Sequence, residues 1–230
     1  MNLKKGNRAN LNVNKFRVGL GWDPNPRNDE EFDLDVSAFI LGYSRKVLFD
    51  GTTEGEKYIV YYNSENRILP LKLESNIFEL ESYDSDIYPD YEADYREKTR
   101  PVSPNFEVIG SLDDTDGTSS DGEDDEDMII DLNKIDRQAE EIVIVVSIYE
   151  AEERNNQNFG QVRNAYIRIL DEETNTEILR YDLDEDFSYE TALEFGRIYK
   201  RNNKWRFEAL GNGTSEGLEY YFKTFTSYMD

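Results

Sequence analysis

The sequence predicts an all-β fold, a β-sandwich of two sheets with one or two short helices and a long acidic insertion. Three features lead to this prediction. Short β-like runs are separated by turn signals throughout the chain, which is typical of a sandwich. Residues 32–39, FDLDVSAF, alternate apolar and polar side chains as a half-buried strand does. Residues 141–149, EIVIVVSIY, are almost continuously apolar, which favours a central strand covered on both faces.

The predicted strands form two groups, one on either side of an acidic region. The first group is Lys15–Trp22, Phe32–Leu41, Lys46–Phe49 and Tyr58–Tyr62, and the second is Met128–Leu132, Glu141–Tyr149, Val162–Leu170, Glu177–Leu183 and Lys204–Leu210. Turn residues separate them, including Asp50-Gly51 and Asn202-Asn203.

Two segments are predicted to be helical. Ser188 is a candidate N-cap for residues 187–201, FSYETALEFGRIYKR, although Gly196 interrupts that pattern. Apolar residues recur at helical spacing near the C-terminus, at Leu218, Tyr221, Phe222, Phe225 and Met229. A stripe of this kind more often packs in a core than binds a ligand.

The 230 residues are predicted to form a single domain, since a chain of this length can bury a sizeable core. Residues from about 73 to 109 interrupt it with many acids, interspersed tyrosines and three prolines. Because this stretch has little periodicity, it is predicted to be an acidic, Tyr-rich insertion.

Composition restricts the function. The formal net charge of −24 repels nucleic acid and anionic membranes, and it attracts cations or basic proteins. The chain has no Cys and no His, which excludes thiol nucleophiles, histidine-based triads, zinc fingers and disulfide scaffolds. The remaining oxygen ligands suit hard cations such as calcium and magnesium.

Targeting signals are not evident in the sequence. The first residues, MNLKKGNRANLNVNKF, lack the apolar region of a signal peptide. No window approaches the run of about 18 apolar residues that a membrane span requires. We therefore expect a soluble cytoplasmic protein without a transmembrane segment.

Asp33 and Asp35 share one face of the strand predicted at FDLDVSAF. Asp is depleted from strands, and these two Cα atoms would lie about 6–7 Å apart. The pair has four possible explanations, namely plain solvent exposure, a basic partner, a pair of catalytic carboxylates or a bound cation. Like charges disfavour one another's ionised form, whereas a divalent ion reverses the sign of that interaction.

A second acidic cluster covers residues 111–131, SLDDTDGTSSDGEDDEDMIID, which hold ten acids and no Lys or Arg. A solvated acidic loop is the simplest interpretation. However, the run directly precedes a strand-like MIIDL, and its Asp-rich pattern, interrupted by Gly117 and Gly122, resembles that of calcium loops. It is not an EF-hand, because Leu112 would occupy the first ligand position of the loop.

Several ordered stretches together resemble the tellurium-resistance TerD domain family and its calcium-binding stress-protein relatives. They are LKKGNRANL, VGLGWD, FDLDVSAFIL, VYYN, the Asp/Gly-rich loop, IVIVVSIYEAEERNNQNFGQVRNAYIRILDEETN and LRYDLDEDFSYETALEFGRIYKRNNKWRFEALGNG. The resemblance implies a β-sandwich that binds calcium through acidic residues and acts in stress response and tellurite resistance. It implies a binding or scaffolding module rather than an enzyme.

Matching the family's acids onto this chain gives a set of metal-ligand candidates. These are Asp23, Asp33, Asp35, Asn63, Asp113, Asp114, Asp116, Asp121, Asp124, Asp125 and Glu126. The loop is about two residues longer than its family counterpart, so its register differs. Tyr149-Glu150 stands where the family commonly has His-Asp, which keeps a carboxylate but no histidine at that place.

The leading functional prediction is a non-catalytic calcium-binding protein of the TerD type, with protein partners or other TerD-like proteins as further ligands. One alternative is an acidic protein-interaction module that is independent of calcium, and another is a carboxylate-based hydrolase. Arg163, Asn164 and Arg168 are expected to satisfy acids or to solvate one face of a strand rather than to contact a partner.

Overall fold

A computed structural model describes residues 1–25, 31–48, 55–68, 99–112, 114–117, 124–183, 187 and 189–226. Two antiparallel sheets pack face to face as a β-sandwich. The six-stranded sheet has the order β1 (Arg8–Asn10), β13 (Lys204–Thr214), β12 (Ala192–Arg201), β9 (Glu141–Ile148), β3 (Leu34–Leu41) and β4 (Ile59–Val60). The five-stranded sheet has the order β11 (Glu177–Asp182), β10 (Arg163–Asp171), β2 (Lys15–Asp23), β8 (Glu126–Asp131) and β7 (Val108–Ile109).

Four further elements complete the described fold. Strands β5 (Arg67–Ile68) and β6 (Arg100–Pro101) form a separate two-stranded sheet. A 3-10 helix covers Gly55–Tyr58, and α1 covers Gly217–Thr226. Among the described residues, no helix is both long enough and apolar enough to cross a membrane. The predicted sandwich is thereby confirmed, with a single short α-helix in the part of the chain that can be described.

Strand β9 is buried over its whole length, as the apolar run at residues 141–149 predicts. Strand β3 is also buried over its whole length, which corrects the half-buried strand predicted from its alternation. One side of β3 faces the sandwich core through Leu34, Val36, Ala38 and Ile40. The opposite side carries Asp35, Ser37 and Phe39, and Phe39 packs against Phe222 and Phe225 of α1. Asp35 therefore points to the outer face of the six-stranded sheet, the face that α1 also occupies.

The N-terminal half of β3 has an open edge. On one side β3 pairs with β9 from Leu34 to Leu41, whereas on the other side β4 pairs only with Ala38 and Phe39. Backbone N–H groups before Ala38 on that side need partners from elsewhere in the chain. This edge is where the acidic segment of the chain meets the sheet.

The predicted helix at residues 187–201 is wrong, because Ala192–Arg201 is strand β12, hydrogen-bonded to β9 and β13 on both sides. A β-bulge between Glu194 and Gly196 shifts the register, so the apolar residues do not alternate strictly in the sequence. Gly196 is required there, since a Cβ would lie 2.5 Å from the Phe207 ring. Sheet pairing overrides the local helical signal.

The other elements follow the predictions closely at their centres and less well at their ends. The C-terminal helix is confirmed as α1, although Met229 lies outside the described residues. Of the strand predicted at Lys46–Phe49, the described residues 46–48 form an isolated bridge between Leu41 and Val47, and the Val47 N–H donates to the Phe225 carbonyl. Phe49 lies outside the described residues. Residues 100–109, which we assigned to the insertion, include β6 and β7.

Candidate functional site

Trp22, near the end of β2, joins the two acidic stretches of the sequence. Its indole Nε1 donates to the Phe32 carbonyl at 3.0 Å, which fixes the chain directly before Asp33. Its backbone N–H donates to Asp125 Oδ2 at 2.9 Å. The tertiary structure thus brings the FDLD stretch and the Asp/Gly-rich segment to the same end of the sandwich, as the metal-site prediction requires.

Asp33 and Asp35 are both buried, with only 4% and 3% of their surface exposed. Plain solvent exposure therefore does not explain these two acids. Burying a carboxylate is unfavourable unless a cation or hydrogen-bond donors compensate its charge. For Asp33 one compensating group is Arg154, whose Nη2 lies 3.2 Å from Asp33 Oδ2.

The first part of the Asp/Gly-rich segment forms a tight turn against Trp22. Asp114 is buried, and its Oδ1 accepts hydrogen bonds from the backbone N–H groups of Asp116 and Gly117 at 3.1 and 2.9 Å. Gly117 has a φ of +71°, and a Cβ there would lie 2.6 Å from the Trp22 indole nitrogen. Gly117 therefore permits the sharp bend predicted for it, directly beside the Trp22 side chain.

The candidate acids Asp124, Asp125 and Glu126, which lead into β8, bind different partners. Asp124 Oδ1 accepts hydrogen bonds from Arg168 Nε at 2.7 Å and from the Tyr166 hydroxyl at 3.1 Å. Asp125 binds the Trp22 backbone, as described above. Glu126 is buried, and its Oε2 accepts from the Val36 backbone N–H at 2.8 Å, so it satisfies the open edge of β3.

The remaining candidates are more peripheral. Asp23 ends β2, and its Oδ2 accepts from Asn164 Nδ2 at 2.6 Å. Asn63 is exposed in the turn after β4. Asp113 and Asp121 lie outside the described residues. Asn164 and Arg168 each satisfy an acid, which is the role expected of them from the sequence.

Several residues around the buried acids were missed by reasoning from the sequence. A cavity of about 10 Å³, the size of one water molecule, is lined by Asp35 and Glu126 together with Tyr62, Arg67 and Ser111. Burial raises the pKa of the Tyr62 hydroxyl, and the negative charge of Asp35 adds to this shift. The Tyr62 ring packs at 5.2 Å from the ring of Tyr149. Side chains so far apart in sequence give no local signal of their proximity.

The donor set agrees with a hard cation in its chemistry, since it consists of carboxylate and amide oxygens. Four of the described candidate acids are buried, namely Asp33, Asp35, Asp114 and Glu126. Within the part of the chain that the structure describes, however, no three acidic side chains lie close enough together to hold a metal ion by themselves. Asp33 and Asp124 are instead compensated by guanidinium groups.

Comparison with known proteins shows similarity along nearly the whole chain. General stress protein 16U of Bacillus subtilis (strain 168) is 34% identical over 224 residues, which span 95% of this chain and 93% of that protein. Tellurium resistance protein TerD of Serratia marcescens is 32% identical over 225 residues, with the same coverage of 95% and 93%. A crystal structure of a telluride resistance protein (TerD) homologue, SCO6318 from Streptomyces coelicolor A3(2), has the same fold. Its TM-score is 0.60 at 15% identity, over 91% of this chain and 95% of that one.

The family model of the TerD domain matches residues 1–69 and 100–225, so that residues 70–99 alone interrupt the match. This interruption overlaps most of the acidic insertion predicted at about residues 73–109. The matched ranges contain both sheets and all of α1 except Thr226, so the chain belongs to the TerD domain family.

Proposed function

We propose that this protein is a non-catalytic calcium-binding protein of the TerD type that acts in the response to chemical stress, including tellurite. The names of its relatives support the stress-related part of the proposal, since one is a general stress protein and another a tellurium resistance protein. Neither name describes an enzyme. Calcium binding is the finer part of the proposal and rests on the site.

One observation carries the calcium proposal, namely the burial of Asp33 and Asp35 at the edge that also receives Asp125 and Glu126. Burial disfavours the ionised form of a carboxylate, and a cation bound to these acids would compensate their charge. Calcium suits such a site because it takes 6–8 oxygen ligands in flexible geometry, at about 2.3–2.6 Å. Asp35 of β3 and Asp33, directly before that strand, would supply ligands, and acids of residues 113–126 would complete the shell.

Isothermal titration of the chelator-treated protein with calcium, with magnesium as competitor, tests this proposal. We expect the double variant Asp33→Asn, Asp35→Asn to lose the tightest binding while its circular dichroism spectrum is retained. The matched control is Glu173→Gln with Glu216→Gln, which removes the same charge from two exposed positions. Equal calcium titrations for the wild type and the Asp33/Asp35 variant would contradict the assignment of these ligands.

The charge of the chain also supports basic protein partners. A net charge of −24 attracts cationic surfaces over distances of about a Debye length, 8 Å at physiological salt. Partner binding of this kind would weaken steeply as salt is added and would be indifferent to calcium. Such behaviour distinguishes an interaction module from a calcium-dependent one.

A further inference from the structure

Four exposed basic side chains lie at one end of the sandwich, namely Lys134, Arg137, Arg201 and Lys204. The first two belong to the loop between β8 and β9, and the last two close the β12–β13 hairpin. The Lys200 N–H donates to the Glu140 carbonyl at 3.0 Å, which holds the hairpin against this loop. Within the described part of the chain none of the four side chains forms an ion pair, so their charges face solvent. We call this surface the basic end.

An open groove runs beside two of these cations. Its walls are the turn between β6 and β7, which contributes Phe106, and the loop that carries Lys134 and Arg137. Asp136 also lines the groove, but it is engaged within the loop because its Oδ1 accepts a hydrogen bond from the Gln138 N–H at 2.8 Å. The groove therefore presents two basic side chains beside an aromatic ring, a surface that suits an acidic protein segment.

The opposite end of the six-stranded sheet is acidic. The turn that follows β9 carries three exposed acids, Glu150, Glu152 and Glu153. The Tyr149 N–H donates to the Asp33 carbonyl at 2.8 Å, which holds this turn beside the start of β3. We call the turn of residues 150–153 the acidic turn, and it projects three negative charges away from the sheet.

The two charged ends are far enough apart to act independently. On β9, Glu141 pairs with Tyr199 near the hairpin, and Ser147 pairs with Asp35 near the acidic turn. Glu141 and Ser147 are about 20 Å apart, from a rise of about 3.3 Å per residue. This distance exceeds two Debye lengths of about 8 Å at physiological ionic strength, so salt screens each end from the charge of the other. An acidic partner therefore meets a locally positive surface at the basic end.

We propose that copies of this chain associate head to tail, with the acidic turn of one copy docked at the basic end of the next. Charge complementarity carries the proposal, because each copy has both surfaces at opposite ends of one sheet. An extended polyanion such as a membrane fits less well, since Glu140, Glu172 and Glu173 are exposed acids at the same end as the groove. The contact is heterologous and builds a ring or an open chain rather than a two-fold dimer.

Sedimentation velocity of the full chain, in buffer with a chelator, tests the proposal without any contribution from calcium. At about 0.15 M NaCl we expect the wild type to form species larger than the monomer as its concentration is raised. At about 0.5 M NaCl the Debye length falls to about 4 Å, and the dissociation constant should rise about tenfold.

Two charge-reversed variants separate this contact from a general effect of charge. The variant Arg137→Glu, Lys204→Glu has acids at both ends, and the variant Glu152→Lys, Glu153→Lys has basic residues at both ends. Each variant alone should be monomeric, because like charges then face one another between copies. An equimolar mixture of the two variants should associate again, because the opposite charges are restored across the contact.

The matched control for the basic end is Lys4→Glu with Arg163→Glu, which reverses the same charges at two exposed positions elsewhere. It should associate as the wild type does. A wild type that stays monomeric, a mixture that fails to associate, or equal association by the variant Arg137→Glu, Lys204→Glu would each overturn the proposal.

A different acidic partner gives a different result. A monomeric wild type that binds poly-glutamate through Arg137 and Lys204 would overturn self-association and assign the basic end to another acidic protein. Circular dichroism shows whether each variant folds, and the salt dependence of the wild type decides the question even if one variant does not. Calcium titration tests the proposed function separately, so failure of one proposal leaves the other standing.

Discussion

Arg197 of β12 is predicted to be a main source of stability on the outer face of the six-stranded sheet. Its guanidinium lies 3.0 Å from Glu141 of β9 and 2.7 Å from Glu208 of β13. Both glutamates are buried, whereas 26% of the Arg197 side chain is exposed. We expect Arg197→Met, which keeps much of the aliphatic stem, to destabilise the protein without changing its fold.

The contacts of Arg197 indicate the size of this effect. A hydrogen bond to a charged group contributes about 1.5–3 kcal/mol, and Arg197 makes such bonds to two carboxylates. Solvent screening reduces this contribution because Arg197 is partly exposed. Each glutamate also keeps a second partner, Arg45 for Glu141 at 2.8 Å and Arg8 for Glu208 at 2.7 Å. The expected loss is therefore about 2–3 kcal/mol, below the roughly 3–5 kcal/mol of a buried charge left without any partner.

Urea denaturation measures this loss, and the accompanying decrease in Tm should be about 5–10 °C for a domain of this size. Arg201→Met, at the exposed end of the same strand, should change the free energy of unfolding by less than about 0.5 kcal/mol. If Arg197→Met were no more destabilising than this control, the ion pairs of Arg197 would not stabilise the folded protein.

The same ion pairs predict how stability depends on pH. Burial alone would raise the pKa of Glu208, but hydrogen bonds from Arg8 and Arg197 outweigh it and hold that pKa below its ordinary value of 4.5. A depressed carboxyl pKa stabilises the folded state above the ordinary pKa, and this contribution is lost as the pH falls through the folded-state value. The difference in stability between wild type and Arg197→Met should therefore shrink as the pH falls below about 4.5.

Three further predictions concern the other outer face and the helix. A Cβ on Gly19 would lie 2.0 Å from Asp124 Oδ2, so Gly19→Ala should displace that buried acid and cost about 2–4 kcal/mol, measured by urea denaturation. Burial and the nearby charge of Asp124 raise the pKa of Tyr166 to about 12. The stability that results from this raised pKa should be fully present below pH 10 and lost as the pH rises toward 12. Asp124→Asn should lower the pKa of Tyr166, measured by NMR titration. Tyr221→Phe removes the hydroxyl that accepts a hydrogen bond from the buried Glu194 N–H at 2.8 Å. It should lower the free energy of unfolding by about 1–3 kcal/mol, measured by thermal denaturation.

Much of the fold could be predicted from local patterns. Strict alternation identifies β3, an apolar run identifies β9, and helical spacing identifies α1. These signals are local because the faces of a strand or helix are set by the backbone periodicity. Prediction failed at β12, where a bulge breaks the alternation and pairing on both sides decides the conformation. It was also weak for strands of two residues such as β5 and β6, which are too short to show a period.

By itself the sequence determined which chemistry is available, because the lack of Cys and His and the density of acids leave oxygen ligands and arginine as the principal site groups. It also predicted Asp33 and Asp35 on one face of a strand, whereas β3 begins at Leu34, directly after Asp33. Only the tertiary structure decided that this face is buried and that Arg154 lies on Asp33. Burial and ion pairing depend on which distant segments meet at the open edge of β3, and no local periodicity encodes those contacts.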